Sequence, residues 1–408
     1  MNLLLQNYNK DLQALIAVTG SKSETNRLLL LQALFPAIAL ANTSNSDDSA
    51  VMQMALNGAE EVIDIRHAGT AMRFLTAYFA VQENRTVTLT GSSRMQERPV
   101  KILVEALEQL GAEISYLKAV GYPPIQIKGQ KITKSKVTMA ADVSSQYISA
   151  LLLAAAKLEN GIELTLEGEI TSIPYIKMTL ALLNDLDVKT SFIGNKITVI
   201  PKQDVSPKVI TVESDWSSAS YFFSLVALSD NASITLTSYK ENSLQGDSAL
   251  VEIYKQMGVD SRFVNNSLIL TKNTNFKFKT LNLDLNNTPD IAQTIAVTCL
   301  GLGVGCHLTG LHTLKIKETD RLEALQIELT KLGANITVTN ESLTLEPTQS
   351  INSNIKIATY NDHRMAMAFA PLALKVPIII ADANVVSKSY PDFWEDMKTL
   401  GYKVSEII

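Results

Sequence analysis

The chain has 408 residues, 46% of them hydrophobic and 19% charged, a balance that excludes wholesale disorder and suggests two or three domains. Its net charge of −5 argues against a general nucleic-acid or anionic-membrane binder, so any anionic ligand needs a local basic site. Its two cysteines, Cys299 and Cys306, lie in one apolar, Gly-rich stretch and read as reduced thiols of a cytoplasmic protein, with neither a disulfide framework nor a metal site.

In chain order, residues 1–7 carry no basic segment or small-residue cleavage site, which predicts no secretory leader. A first strand is predicted at 12–18. Six very apolar helices with polar starts follow, beginning at Ser23, Gly69, Ser144, Ser217, Asp290 and Arg364. Helices apolar on most faces are buried helices. Between them recurs a second pattern, an amphipathic helix closed by a Gly-containing pivot and followed by a strand. The pivots fall near 58, 111, 187, 258, 333 and 401, so they are 53, 76, 71, 75 and 68 residues apart. Repeats at fixed spacing mean one supersecondary unit used many times. The stretch after the first pivot is shorter than its counterparts by about 20 residues, which predicts a missing β-hairpin. The run 291–314 lacks charge but is broken by four glycines, so a helix and a strand are expected there rather than a membrane span.

This predicts an α/β protein of two domains with three repeats each. The first covers 20–212, and the second covers 1–19 together with 213–408. A short strand at 403–407 ends the last unit, and the N-terminal strand is expected to join the second domain.

The unusual residues gather at the starts of the buried helices. Helix N-termini carry unpaired N–H groups and partial positive charge, so they receive phosphates and carboxylates. Any one such start also reads as an ordinary cap, but basic residues stand beside most of them. Lys22 and Arg27 bracket the first helix start, without the spacing of a P-loop. His67, Gly69 and Thr70 open the second, and Arg94 and Arg98 flank Glu97 further on. Ser144, Ser145 and Gln146, then Ser172 and Tyr175, offer polar groups suited to hydroxyls. Asp290 stands at the fifth start as a candidate general base. Lys317, Glu318 and Arg321 follow, and if that segment is helical Lys317 and Arg321 share a face. His363, Arg364 and Lys388 complete the set.

Together these segments resemble the 5-enolpyruvylshikimate-3-phosphate synthase family along nearly the whole chain. The carriers are GSKSETNR at 20–27, AGTAMR at 68–73, RMQERP at 94–99, SSQY at 144–147, SIPYI at 172–176, SDWSSASYF at 214–222, NSLQGD at 242–247, PDIAQT at 289–294, IKETDR at 316–321, YNDHRMAM at 360–367 and SKSYPDF at 387–393. The resemblance implies the inside-out α/β enolpyruvyl transferase fold, with its active site in the interdomain cleft. It also implies transfer of an enolpyruvyl group from phosphoenolpyruvate to shikimate 3-phosphate by addition and elimination, with no metal or organic cofactor. The implied state is a cytoplasmic monomer that takes these two small molecules and neither nucleic acid nor membrane.

By motif match, the resemblance implies that Asp290, Glu318 and Lys22 are catalytic. Shikimate 3-phosphate would be held by Lys22, Ser23, Arg27, Ser144, Ser145, Ser172, Tyr175, Asp290, Thr313 and Lys317. Phosphoenolpyruvate would be held by Lys22, His67, Gly69, Arg98, Gln146, Arg321, His363, Arg364 and Lys388. Three residues depart from the pattern: His67 and Thr313 each replace a usual Asn, and Phe74 replaces a Pro or Leu. The related UDP-N-acetylglucosamine transferases rely on a mobile-loop Cys or Asp in the first half. Here both cysteines lie in the second half, which disfavours that reading.

Overall fold

A computed structural model describes residues 1–7, 9–141, 144–170, 173–277 and 279–407. It divides into two compact units, Ser21–Val212 and Met1–Gly20 with Glu213–Ile408.

In Ser21–Val212 the buried helices are Lys22–Leu34, Gly69–Ala80 and Ser145–Ala155, and the half-exposed ones are Asp47–Asn57, Lys101–Leu110 and Ile173–Asp185. In the other unit the buried series is Trp216–Leu228, Ala292–Leu302 and His363–Phe369, and the outer series is Leu250–Lys255, Arg321–Lys331 and Phe393–Thr399. Each unit has its own apolar core, built mainly from the first series. Every residue of Gly69–Ala80 is buried, as is every residue of Trp216–Leu228 except Ser217. Full burial of one Leu or Phe side chain stabilises by about 1.5–3 kcal/mol, so each helix is held by its surroundings rather than by propensity. Some hydroxyls of these helices pair with one another, as in Ser220–Thr294 at 3.0 Å and Thr298 to Ser224 at 2.7 Å, and others bond to backbone oxygens, as Thr76 does to Met72 O at 2.6 Å.

The sheets repeat one pattern. Val62–Asp64 runs parallel to Thr86–Thr90, which pairs antiparallel with Ile125–Lys128, and that strand pairs antiparallel with Glu113–Tyr116. Lys136–Ala140, Ile162–Glu167, Lys196–Val199 and Thr190–Ile193 follow the same order. In the second unit the pattern recurs in Asp11–Ile16, Asn231–Thr237, Ser267–Lys272 and Val259–Val264, and in Leu281–Asp284, Cys306–Thr309, Leu343–Leu345 and Ile336–Val338. It recurs once more in Ile355–Ile357, Ile378–Ile380, Asn2–Gln6 and Lys403–Ile407. Among the described residues, Ile38–Ala41 and Lys208–Thr211 form a parallel pair with no antiparallel hairpin beside it. Alternating burial along the strands, as in eBeB over Lys136–Met139, marks sheets with one face in the core and one outward.

Sequence reading placed one strand before the first helix. The structure has two, Asn2–Gln6 and Asp11–Ile16, in different sheets of the same unit. Burial alternates along the first of them, with Leu3 and Leu5 in the core and Leu4 half-buried, but a leucine at all three positions hides that period in the sequence.

Five of the six pivots are left-handed: Gly111, Asp187, Gly258, Gly333 and Gly401 have φ between 58° and 106°. That conformation closes a helix and turns the chain into the next strand. Gly58, the weakest copy, is extended at φ −84°.

Two helix starts differ from the sequence expectation. Asp290 lies in a short 3-10 turn, Pro289–Ile291, and the α-helix proper begins at Ala292. Lys317 and Glu318 do not share a helix with Arg321. Asp320 accepts from the N–H groups of Leu322 and Glu323, so it is the N-cap and the helix starts at Arg321. Lys317 is extended and reaches the same locality by another route.

Candidate functional site

The candidate side chains form a constellation in each unit. In Ser21–Val212, Ser21 caps the first buried helix by accepting from Glu24 N, which places Lys22 at its first position. The Lys22 Nζ lies 3.3 Å from Asp48 Oδ2, and His67 Nε2 lies 3.9 Å from Asp48 Oδ1. Asp48 sits in the first turn of Asp47–Asn57, where the helix dipole favours a carboxylate. His67 thus stands beside the carboxylate that holds Lys22, a placement the motif comparison alone did not supply.

Arg27 is 2% exposed and spends its donors on neutral oxygens. Nε donates to Thr179 Oγ1 at 2.8 Å, Nη1 to Ser23 O at 2.7 Å, and Nη2 to Ser149 Oγ at 3.1 Å and Tyr175 O at 3.4 Å. Its guanidinium carbon is 5.4 Å from the Phe74 ring centroid and 5.9 Å from that of Tyr175. Burial lowers its pKa to about 10, against the opposing pull of Tyr175 and Glu24. A buried cation supported by neutral groups retains electrostatic capacity for an anion. Phe74, an oddity in the sequence, is therefore a wall against Arg27.

Gly69 opens the second buried helix under Arg98: a Cβ there would lie 2.6 Å from Arg98 Nη1. Arg73 ties the two segments together, with Nη1 donating to Gly69 O at 3.0 Å and Nη2 to Pro99 O at 3.0 Å. The guanidinium of Arg98 is thereby laid over the free N-terminal turn of that helix. Ser144 caps the third helix by accepting from Gln146 N, Ser145 is buried, and Gln146 Nε2 donates to Thr70 Oγ1 at 3.1 Å. Ser172 lies outside the described residues.

The second unit gathers the carboxylates. Arg321, 1% exposed, meets three of them: Nη1 to Asp290 Oδ1 at 2.9 Å, Nη2 to Glu318 Oε2 at 2.8 Å and Nε to Asp362 Oδ2 at 2.7 Å. Asp290 also receives Lys317 Nζ at 3.5 Å and Arg364 Nη2 at 3.2 Å, while Arg364 Nη1 donates to its backbone oxygen at 3.2 Å. Burial works to raise the Asp290 carboxyl, but Arg364, Lys317 and Arg321 outweigh it and hold the group well below the usual carboxylate range. For Arg321, burial works against the charge and Asp362, Glu318 and Asp290 overcome it, so its affinity for the proton rises.

Asp362 fixes the local backbone, capping His363–Phe369 by accepting from Arg364 N at 2.8 Å. Two left-handed residues, Tyr360 at φ 53° and Asn361 at φ 57°, turn the chain into that cap. The turn is pinned by buried Glu328, which accepts from Tyr360 OH at 2.6 Å and Ala358 N at 3.2 Å, and by Lys388 Nζ, which donates to Asn361 O at 2.6 Å. His363 is buried, its Nδ1 4.0 Å from Asp362 Oδ1. Thr313 lies in the 3-10 turn His312–Ile316, and its buried hydroxyl has no partner among the described residues. Sequence reasoning missed Asp48, Asp362 and Glu328, which touch the candidate cations or the turn that carries them. Asp48 and Asp362 stand in polar helix starts, the signal that marks the other candidates.

Among the described residues, no helix is long and apolar enough to cross a membrane.

The family model for EPSP synthase (3-phosphoshikimate 1-carboxyvinyltransferase) matches residues 37–397. A 3-phosphoshikimate 1-carboxyvinyltransferase of Bacteroides fragilis is 44% identical over 397 residues, 96% of each chain. Another, from Photorhabdus laumondii, is 36% identical over 421 aligned positions, again 96% of each chain. Among solved structures, an EPSP synthase of Acinetobacter baumannii superposes with a TM-score of 0.80 at 22% identity, covering 99% of this chain and all of that one. Fold, motif order and near-full-length identity agree, and the chain belongs to the EPSP synthase family.

Proposed function

We propose that these two constellations carry out the family's reaction, with the roles given below. The activity is that of a 3-phosphoshikimate 1-carboxyvinyltransferase: the enolpyruvyl group of phosphoenolpyruvate passes to the 5-hydroxyl of shikimate 3-phosphate, and phosphate is released. Each substrate carries a carboxylate and a phosphoryl group, the latter at about −1.5 to −2 near neutral pH.

In Ser21–Val212, Ser23, Arg27, Ser144, Ser145, Ser172 and Tyr175 hold shikimate 3-phosphate. Gly69, Arg98 and Gln146 hold phosphoenolpyruvate, and His67 steadies Asp48 beside them. Lys22 serves both substrates and offsets charge on the departing phosphate. In the other unit, Asp290, Thr313 and Lys317 serve shikimate 3-phosphate, and Arg321, His363, Arg364 and Lys388 serve phosphoenolpyruvate.

The methylene carbon of phosphoenolpyruvate takes a proton at the Glu318 side, leaving its neighbour electron-poor. The 5-hydroxyl oxygen bonds to that neighbour as its proton passes to Asp290. The tetrahedral adduct then expels phosphate, and the new methyl group returns a proton to the Glu318 carboxylate to restore the double bond. The observation that supports this most is the triple cation contact of Asp290. In the free protein these cations make it a weak base. Substrate anions that engage Arg321 and Arg364 draw charge away from it, so its proton affinity rises when the hydroxyl is in place. A monomer suffices for these roles, and two buried free thiols favour a reducing, cytoplasmic setting.

The test is phosphate release from phosphoenolpyruvate with and without shikimate 3-phosphate. Release that depends on the second substrate supports the reading, and equal release in its absence contradicts it. The Phe74 wall gives a second expectation. Phe74→Leu should weaken shikimate 3-phosphate binding by about 3–30-fold, the range of a desolvated cation–π contact, with little change in the phosphoenolpyruvate KM. Calorimetric titration checks it, and unchanged affinity would mean that the ring does not support Arg27.

A further inference from the structure

Asp247 ends the segment 242–247, and none of the roles above uses it. It lies in the 3-10 turn Gly246–Ala249 and is 2% exposed. Its Oδ2 accepts a short hydrogen bond from the Ser217 hydroxyl. Ser217 is the one residue of its helix that is not buried, and its Oγ accepts from Arg364 Nη2 at 3.2 Å. The same Nη2 donates to Asp290 Oδ2 at 3.2 Å. A continuous path therefore runs from Asp247 through Ser217 and Arg364 to Asp290.

The other carboxylate oxygen, Oδ1, is buried and has no partner among the described residues. Leaving a buried acceptor unmatched is costly. The structural carboxylates nearby are not left so: Asp362 uses both oxygens, and Glu328 accepts from Lys331, Ala358 and Tyr360. The charged groups acting on Asp247 are Asp290, Arg364 and Asp215, the N-cap of the Ser217 helix. Burial and then Asp290 push its carboxyl up to about 7, against Arg364 and the Ser217 hydrogen bond, with Asp215 adding to the rise.

We propose that Asp247 is a positioning residue for the transfer reaction: through Ser217 it fixes the Arg364 guanidinium, and its charge sets how tightly Arg364 holds Asp290. This rests on the roles assigned above to Asp290 and Arg364. An ionised Asp247 draws on Arg364 and repels the charge of Asp290, so Asp290 gains proton affinity and becomes the better base. A protonated Asp247 leaves Arg364 to Asp290 alone, and the base weakens. Turnover therefore rises with pH as Asp247 loses its proton, near neutrality.

The experiment measures kcat and both KM values of the full chain across about pH 5.5–9. Asp247→Asn keeps the shape and an oxygen acceptor for Ser217 but carries no charge. It should lose the rise near neutrality, running about tenfold below the parent at pH 8 and within about twofold at pH 6. Ser217→Ala removes the hydrogen bond that favours the ionised form, so its rise should move to higher pH, with a raised KM for phosphoenolpyruvate. A parent-like profile in Asp247→Asn, or an unmoved rise in Ser217→Ala, overturns the proposal. If Asp247→Asn does not fold, Ser217→Ala decides alone. Asp290→Asn, run in parallel, separates the two levels. Its activity would sink the underlying assignment, whereas an inactive Asp290→Asn beside a parent-like Asp247→Asn sinks only the role of Asp247.

Discussion

Asp290→Asn is expected to lower turnover by about 10²–10⁴-fold while binding of shikimate 3-phosphate persists. The substitution keeps the shape of the side chain but removes both its charge and its capacity to take the hydroxyl proton. Lys317, Arg321 and Arg364 all contact this carboxylate, so its loss frees them for incoming anions. Affinity for shikimate 3-phosphate should hold or increase as kcat collapses. Steady-state kinetics and calorimetry on the same preparation separate the two. Turnover within about threefold of the parent would place the base elsewhere.

Arg321→Met should have the largest effect on stability, about 3–5 kcal/mol. The guanidinium lies among Asp290, Glu318 and Asp362, and Asp362 is fully buried. Methionine fills much of the volume but supplies no charge, so buried carboxylates face one another without their shared partner. Arg364 and Lys317 still reach Asp290, but among the described residues the Asp362 carboxylate accepts hydrogen bonds from Arg321 and the Arg364 backbone N–H. Urea denaturation at neutral pH checks this through a lower midpoint with little change in slope. A loss below about 1 kcal/mol would mean that these carboxylates protonate or rehydrate at little cost.

Much of this architecture was legible because the repeat imposes itself on the sequence. A buried helix must be apolar on nearly every face, and Gly69–Ala80 and Trp216–Leu228 show it plainly. The left-handed pivots left their mark as Gly111, Gly258, Gly333 and Gly401, since few other residues adopt that conformation without strain. Asn2–Gln6 was not legible. Its partners lie at the far end of the chain, near Ile380 and Val404, and five residues carry too little pattern to announce such a pairing.

At the site, the motifs identified Lys22, Arg27, Asp290, Arg321 and Arg364, but not what surrounds them. Burial of Arg27 among neutral oxygens, the lodging of Phe74 against it and the sharing of Arg321 by three carboxylates depend on tertiary placement. The condition for Lys317 and Arg321 to share a helix face is not met, because Asp320 caps the helix and it starts only at Arg321. Spacing alone does not distinguish a cap from an interior residue.

The most direct test of the addition–elimination account is the reaction run in heavy water, with the product methylene examined by mass spectrometry and NMR. Protonation of the methylene carbon makes a transient methyl group, and elimination then removes one of its three hydrogens. The account predicts deuterium in the enolpyruvyl methylene of the product, and a slower wash-in with Glu318→Gln. Product formed in heavy water with no deuterium at that carbon would contradict it.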